Sequence, residues 1–439
     1  MSGRRLVAAV LALCAIIALP PAVHAQPTSG GVTQVRLDNG LAVLVRENPV
    51  APVVAVALLV RMGTRWETRE TAGLSNFVHA VMVKGTSRRT GADLAEAVAG
   101  LGGKISASGE IDYSGIQGTA LARFWRELLG LTAELALEPK LAADEVDRER
   151  DWLLGRIQRR RDNAPSRAFD EYYATLYGDH PYAIPSLGTL DSLRRLDQAA
   201  IVAAYRRFYR PERMVLAVSG QVSAPDVVAE ARRLFGGMAP GGAAADPPIP
   251  PPVAAAHRVI IEQAANQTQI VAGGLAPSLA HPDHAAVKVL STVLGGGMAG
   301  RLFVELRDKS ALAYTATAYY DPMREPGTII LYLGTAPENA ARAEEALLAE
   351  IRRVQGQPVT NEELRRAKAY VLGRYAMDRR TNERQAWYLA FYEVEGVGLE
   401  YPERFRRAVE AVTAADVLRA AKTHLAPLTT LILGPRAPR

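Results

Sequence analysis

Cysteine is all but missing from this 439-residue sequence: the only one is Cys14, inside an apolar N-terminal run. That run, Leu6 to Leu19, follows Arg4 and Arg5 and gives way to Pro20, Pro21 and the small-residue pattern Val23-His24-Ala25. The order predicts a secretory signal peptide over residues 1–25, cleaved after Ala25. The run is too short for a comfortable bilayer crossing, so no membrane span is expected once the leader is removed. Cys14 also follows bulky Leu13 in mid-run, a poor setting for lipid attachment. A chain processed in this way has no thiol, which excludes disulfides, a cysteine nucleophile and a thiolate metal site. A G-x-S-x-G elbow is missing too, which removes the serine-hydrolase signature. Gly295-Gly296-Gly297 precedes a helix pattern but lacks the Lys-Ser/Thr ending of a phosphate loop.

What is present reads as an ordinary soluble chain, with 49% hydrophobic and 22% charged residues. Its length exceeds one comfortable core, so two or more domains are expected. Cleavage of the leader removes two arginines and no acids, leaving 50 basic against 46 acidic residues, a net +4. The basic residues are spread along helix-like stretches such as Arg148 to Arg161, a solvated basic face rather than a nucleic-acid site.

Residues 239–256 read APGGAAADPPIPPPVAAA, a Pro/Ala/Gly-rich stretch with no amphipathic period, as expected of a semi-rigid linker. The segments on either side repeat one order of elements. The first opens on strand-like runs, Val35 to Val45 broken by the turn Asp38-Asn39-Gly40, then Val53 to Arg61. A helix follows, with Leu74, Phe77, Val78, Val81 and Met82 on one apolar face. The second opens on Arg258 to Glu262 and Gln267 to Ala272, with a helix from about Asp283 to Leu294. Each later carries a long charged helix, Ala142 to Arg161 and Asn361 to Arg380, and closes on an apolar strand, Met214 to Ser219 and Leu428 to Leu433. Strands then helices, twice over, predict two α+β domains related by duplication.

Several motifs in order carry a resemblance across about residues 33–435. Gly73-Leu74-Ser75-Asn76-Phe77-Val78-His79-Ala80-Val81-Met82-Val83-Lys84-Gly85-Thr86 resembles the metal-site helix of the insulinase/pitrilysin zinc peptidases. His180-Pro181-Tyr182, Pro185, Gly188, Tyr209-Arg210-Pro211 and Val218-Ser219-Gly220 are similar to later motifs of that family. The second half matches through Leu294-Gly295-Gly296-Gly297-Met298, Arg301-Leu302-Phe303, Glu305-Leu306-Arg307 and Leu312-Ala313-Tyr314. The resemblance implies two duplicated insulinase-type domains, each a mainly antiparallel sheet packed with helices. They would cover residues 26–238 and 257–439, joined by the linker at 239–256. It also implies peptide hydrolysis in a cavity between the halves of a clamshell.

Active members of the family carry H-x-x-E-H on this helix, two histidines one turn apart for zinc and a glutamate as general base. A further glutamate on a downstream helix completes the ligand set. Aligned on Gly73-Leu74 and Lys84-Gly85-Thr86, the first histidine becomes Asn76, the base His79 and the second histidine Ala80. The downstream ligand falls at Arg156, within Trp152-Leu153-Leu154-Gly155-Arg156-Ile157. Asn76 is a poor ligand, Ala80 is none and Arg156 repels a cation, so no metal is expected on this chain. His79 has no histidine or carboxylate four residues away and is expected to be a hydrogen-bonded structural residue.

The second half retains the Arg and Tyr that the family sets beside its active site. By resemblance, Arg301 and Tyr314 donate to the substrate's peptide carbonyls, and Tyr314 to the developing oxyanion. Their bland alternative is a helix-bridging arginine and a strand-packed tyrosine. Lys104-Ile105-Ser106-Ala107-Ser108 matches the family's edge strand, which takes an extended substrate by strand addition. In two-chain members one chain supplies zinc and the other the Arg–Tyr pair. The expectation is therefore a catalytically incomplete subunit of a heterodimeric, exported and periplasmic peptidase, with zinc in a homologous partner. The competing expectation is a peptide-binding or scaffold protein that has left catalysis behind.

Overall fold

The computed structural model describes residues 26–28, 31–242, 246, 249 and 251–435. The expected leader, Cys14 and part of the expected linker lie outside the described residues. The first half supplies strands β1 (Gln26–Thr28), β2 (Val32–Arg36), β3 (Ala42–Glu47), β4 (Val53–Val60), β5 (Lys104–Gly109), β6 (Ser114–Leu121) and β7 (Met214–Gly220). Its helices are α1 (Leu74–Met82), α2 (Gly91–Gly100), α3 (Trp125–Leu137), α4 (Ala143–Asp162), α5 (Ala164–Tyr177), α6 (Leu190–Arg195), α7 (Gln198–Phe208) and α8 (Ala224–Phe235). The second half supplies β8 (His257–Glu262), β9 (Thr268–Ala276), β10 (Thr315–Asp321), β11 (Gly327–Thr335) and β12 (Thr429–Gly434). Helices α9 (His284–Gly295), α10 (Ala340–Gly356), α11 (Asn361–Asp378), α12 (Asn382–Glu395), α13 (Tyr401–Ala411) and α14 (Ala414–His424) complete it.

The strands form a seven-stranded sheet, β1-β2-β3-β7-β4-β6-β5, and a five-stranded sheet, β10-β11-β9-β12-β8. Only β3–β7 and β8–β12 are parallel; every other pairing among the described residues is antiparallel. Read from the parallel pair outward, β3-β7-β4-β6-β5 repeats as β8-β12-β9-β11-β10. The chain is thus two α+β domains of one topology, and the first carries an extra β1–β2 edge. The turn expected at Asp38-Asn39-Gly40 joins β2 to β3. Gly40 there has φ +95°, a conformation glycine adopts without the steric cost of a Cβ.

Strand β4 reads VVAVALLV, a continuous apolar run, because both its faces are covered. Val54, Val56, Leu58 and Val60 point into the core under the first half's own helices. Ala55, Ala57 and Leu59 point the other way, against Ala386, Leu389, Ala390 and Val394 of α12, a helix of the second half. The second sheet receives the converse. Ala168, Tyr172 and Leu176 of α5 pack on Val271, Ile330, Leu431 and Leu433. Each half therefore lends one helix to cover the other's sheet. Alanine on both sides of the α12 contact permits the close approach, and Gly273 does the same for α5. A Cβ at Gly273 would stand 2.8 Å from the Tyr172 hydroxyl and 2.0 Å from the Ile329 carbonyl. Burying each large apolar side chain in these layers is worth about 1.5–3 kcal/mol.

Polar groups fix the seam. The Asn382 side chain, at the first turn of α12, accepts from Asn48 Nδ2 (2.7 Å) and donates to the Val53 carbonyl (3.1 Å). Arg65 pairs with Glu325 at 2.6 Å, while the Tyr182 hydroxyl and the Arg324 N–H both donate to Asp112. Glu395, the last residue of α12, is buried beside this group, and among the described residues neither carboxylate oxygen has a hydrogen-bond partner. Burial, and then the nearby Asp112, push its carboxyl well above the ordinary carboxylate range. No helix among the described residues is long and apolar enough to cross a membrane.

Candidate functional site

Helix α1 begins at Gly73, whose φ of +86° suits glycine and whose Cα lies against Gly188. A Cβ on Gly73 would come within 2.7 Å of Gly188 Cα, so two glycines distant in sequence share one close contact. Sequence reasoning missed the group that anchors this start. Buried Glu67 accepts hydrogen bonds from the Gly73 N–H (2.7 Å) and the Ser75 N–H (2.6 Å), an anion at the positive end of the helix. An acidic residue six positions ahead of a glycine start was the only signal for it.

The helix period then sorts α1 into two faces. Phe77, Val78, Val81 and Met82 are buried in the main core, while Asn76 and Ala80 share a half-buried outer face. His79 belongs to the inner face and is fully buried. Its Nδ1 lies 2.7 Å from the Ser75 carbonyl and its Nε2 lies 2.8 Å from the Tyr209 hydroxyl. A carbonyl can only accept, so Nδ1 carries the proton and Nε2 accepts from Tyr209. Burial pushes the ring's pKa down to about 4, so the imidazole is neutral at pH 7 with both nitrogens committed.

Helix α4, which should deliver the downstream ligand, is in place beside α1. Leu153 and Ile157 share α1's core, and Lys84 pairs with Glu149 at 2.6 Å. What α4 delivers is Arg156, whose guanidinium lies 4.7 Å over the exposed Trp152 ring. An amide, a methyl and a guanidinium at the three ligand positions do not fit zinc, and His79 has no free lone pair to offer. Among the described residues, no three His, Cys, Asp or Glu side chains group in a way that would hold a metal.

Among the described residues β5 pairs only with β6 and no strand adjoins its other edge, along which Lys104, Ile105, Ser106, Ala107 and Ser108 lie. Its end meets the α1 start: a Cβ on Gly109 would stand 2.5 Å from the Asn76 nitrogen. The fold thus brings the edge strand and the altered helix together. Lys104 is partly engaged, by an exposed ion pair to Glu383 of α12 at 2.8 Å.

The second-half pair is arranged differently. Arg301 is half-buried and grips Glu363 with two parallel bonds, Nε to Oε1 at 2.7 Å and Nη2 to Oε2 at 3.1 Å. Arg301 Nη1 is buried and has no hydrogen-bond partner among the described residues. The Arg301 pair pulls the Glu363 carboxyl down to about 2. Glu363 also closes a capping box with Thr360 at the start of α11, so one carboxylate serves both the helix and the arginine. Tyr314 stands at the head of β10, its N–H held by the Gly334 carbonyl at 2.9 Å and its side chain 72% exposed. No hydrogen bond joins Arg301 to Tyr314 among the described residues.

Comparison with known proteins agrees with this frame. The family model for insulinase, peptidase family M16, matches residues 42–190, and that for the peptidase M16 inactive domain matches residues 195–371. An uncharacterized zinc protease of Mycobacterium leprae is 30% identical over 348 residues, 79% of this chain and 78% of its own length. One from Rickettsia bellii is 25% identical over 410 residues, 91% of this chain and 97% of its own. Among solved structures, a peptidase M16 inactive domain from Pseudomonas fluorescens superposes with a TM-score of 0.86 at 25% identity, covering 92% of this chain and 98% of that one. A Helicobacter pylori protease has the same fold, with a TM-score of 0.86 at 22% identity over 92% of this chain and 99% of that one. With both halves matched in order and the sheets repeated strand for strand, this chain is a member of the insulinase family of peptidases, family M16.

Proposed function

We propose that this chain is the catalytically incomplete subunit of an exported, periplasmic two-chain zinc peptidase. A homologous partner holds the zinc, and this chain supplies substrate contacts. The observation that carries the reading is the intact α1–α4 frame with its ligand positions filled by Asn76, Ala80 and Arg156. Selection for packing alone explains the inner face; it does not explain why Tyr314 remains exposed at the head of an edge strand. From there a phenol is able to donate to a carbonyl held by another chain, and the open edge of β5 is able to pair with an extended peptide.

The test is peptidase activity of the purified mature chain with zinc, alone and then mixed with a partner bearing H-x-x-E-H. Activity in the mixture only is expected. Tyr314→Phe should then lower turnover about a hundredfold or more while assembly is unchanged. Zinc-dependent activity of the chain alone, lost with a chelator and with one metal bound per chain, would overturn the reading.

One observation favours a second reading, a peptide-binding scaffold. Arg301 is locked to Glu363, so its guanidinium is held by its own chain. If no zinc-bearing homologue is encoded beside this chain and Tyr314→Phe is silent in every mixture, the scaffold reading stands.

A further inference from the structure

The stretch around the altered ligand position has an internal repeat. Trp152-Leu153-Leu154-Gly155-Arg156 on α4 corresponds to Tyr370-Val371-Leu372-Gly373-Arg374 on α11, its counterpart in the second half. In both, the middle residues serve packing: Leu153 and Val371 are buried. The aromatic is not needed there, since Trp152 is 51% and Tyr370 43% exposed. These half-exposed aromatics at equivalent places on two helices are not placed there to fill the core.

The charges point to what that use is. Three of the six arginines of α4 are spent on acids: Arg148 on Asp144 and Glu145, Arg150 on Asp147, Arg160 on Asp170. Arg156 and Arg159 have no acidic partner among the described residues. Trp152, Gly155, Arg156 and Arg159 fall at successive turns of one helix face. Gly155 leaves a dip in it, into which Arg159 Nη1 reaches to within 3.4 Å of where a Cβ would stand. The Arg156 guanidinium lies over the Trp152 ring, and no hydrogen bond among the described residues uses its edge of N–H donors. That edge matches a carboxylate in a bidentate pair, and the stack holds it in advance of binding.

We infer that this face of α4 binds carboxylates of acidic peptides, in the place where zinc-bearing members of the family would hold their metal. The inference rests on the reading of this chain as a peptide-binding subunit. Peptide is favoured over nucleic acid because α4 is packed on α1, and α1 abuts β5, the strand proposed to pair with an extended peptide. Cations scattered between committed ion pairs are also a poor match to a continuous phosphate backbone.

The test uses the full mature chain and fluorescence anisotropy of rhodamine-labelled ten-residue peptides. One carries alternating glutamates and a free C-terminus; its counterpart has glutamines and an amidated end. The acidic peptide is expected to bind at least tenfold more tightly, and Arg156→Gln to remove most of that preference without weakening the neutral peptide. Trp152→Ala should reduce the preference severalfold by releasing the guanidinium. Trp152 is exposed and Arg156 partly exposed, and an unchanged thermal melt shows that the variants fold. Equal affinity for the two peptides, or a preference that survives Arg156→Gln combined with Arg159→Gln, would overturn the inference. So would tighter binding of a ten-nucleotide single strand than of the acidic peptide. Because no zinc partner is in the assay, a negative result here leaves the complementation test of the two-chain reading untouched.

Discussion

Set side by side, the two halves share their strands and their long helices but settle their buried polar groups by different means. The first half buries His79 between the Ser75 carbonyl and Tyr209; the second buries His284 between Tyr320 (3.0 Å) and Tyr401 (2.7 Å). Helix α11 starts on a Thr360–Glu363 capping box, whereas its counterpart α4 starts on Ala142 with no side-chain cap. The spare carboxylate that caps α11 also holds Arg301, and Glu145, its positional equivalent in α4, is spent on Arg148. The lesson is that a helix frame and its chemistry are separable. On α1 the packing residues lie on the inner face and the former ligand positions on the outer, so the outer face was free to change at little cost to stability.

The largest expected effect comes from attacking the exchanged helices. Ala390→Asp in α12 and Ala168→Asp in α5 each bury a charge in a fully covered layer, at a cost of about 4 kcal/mol or more. Both should abolish soluble, protease-resistant protein. If Ala168→Asp leaves the first half resistant to limited proteolysis, the halves are less interdependent than their packing implies.

Next in size is an acid lability written into the buried histidines. The His79 pKa is lowered to about 4 from an ordinary 6.5, so the unfolded chain takes up the proton first as pH falls. Stability is complete above about pH 6.5 and drops by about 3 kcal/mol from this residue on approaching pH 4. His284, pushed down to about 3 by burial, adds a second contribution of the same sign. Denaturant melts at pH 7, 5 and 4 should show the loss, and His79→Asn should flatten roughly half of the slope. An unchanged slope would show that His79 is not a source of the acid lability.

Glu395 has the opposite sign. Its carboxyl titrates above the ordinary range, so its contribution is intact in acid and lost as pH rises through the folded value. Glu395→Gln should therefore stabilise the chain at pH 9 by about 1–3 kcal/mol, with little effect at pH 4. Thermal melts at the two pH values would reveal it. The smallest change makes the first half copy the second. Ala142 already has the extended N-cap conformation and Glu145 three residues on, so Ala142→Thr should complete a capping box and add about 0.5–1 kcal/mol. No gain in the melting temperature would show that Glu145 is worth more to Arg148 than to a cap.

Local order was legible wherever neighbours in sequence are neighbours in space. The apolar spacing of α1, the Asp38-Asn39-Gly40 turn and the long helices α4 and α11 fall where period and turn chemistry put them. Reading Lys104 to Ser108 as an edge strand also agrees with the sheet order. Which layer a segment covers was not legible. The apolar stripe of α12 says that Ala386, Ala390 and Val394 are buried, yet nothing in it says they face β4, more than 300 residues earlier. The same holds for the site. A lone His79 reads correctly as hydrogen-bonded, but its partner Tyr209 lies 130 residues on. Arg301 matches a family motif, while the carboxylate that binds it, Glu363, belongs to a helix cap. Long-range partners are set by packing, which a local pattern does not encode.

The loan of α12 to the first sheet has a consequence during synthesis. The first sheet has all its strands once Gly220 has emerged, but the helix that covers its second face ends only at Glu395. At about 5–20 residues per second, the ribosome needs roughly ten seconds or more to make the intervening chain. Until α12 follows, Ala55, Ala57, Leu59 and Val215 have no helix to cover them, an apolar set suited to a chaperone that holds unfinished chains.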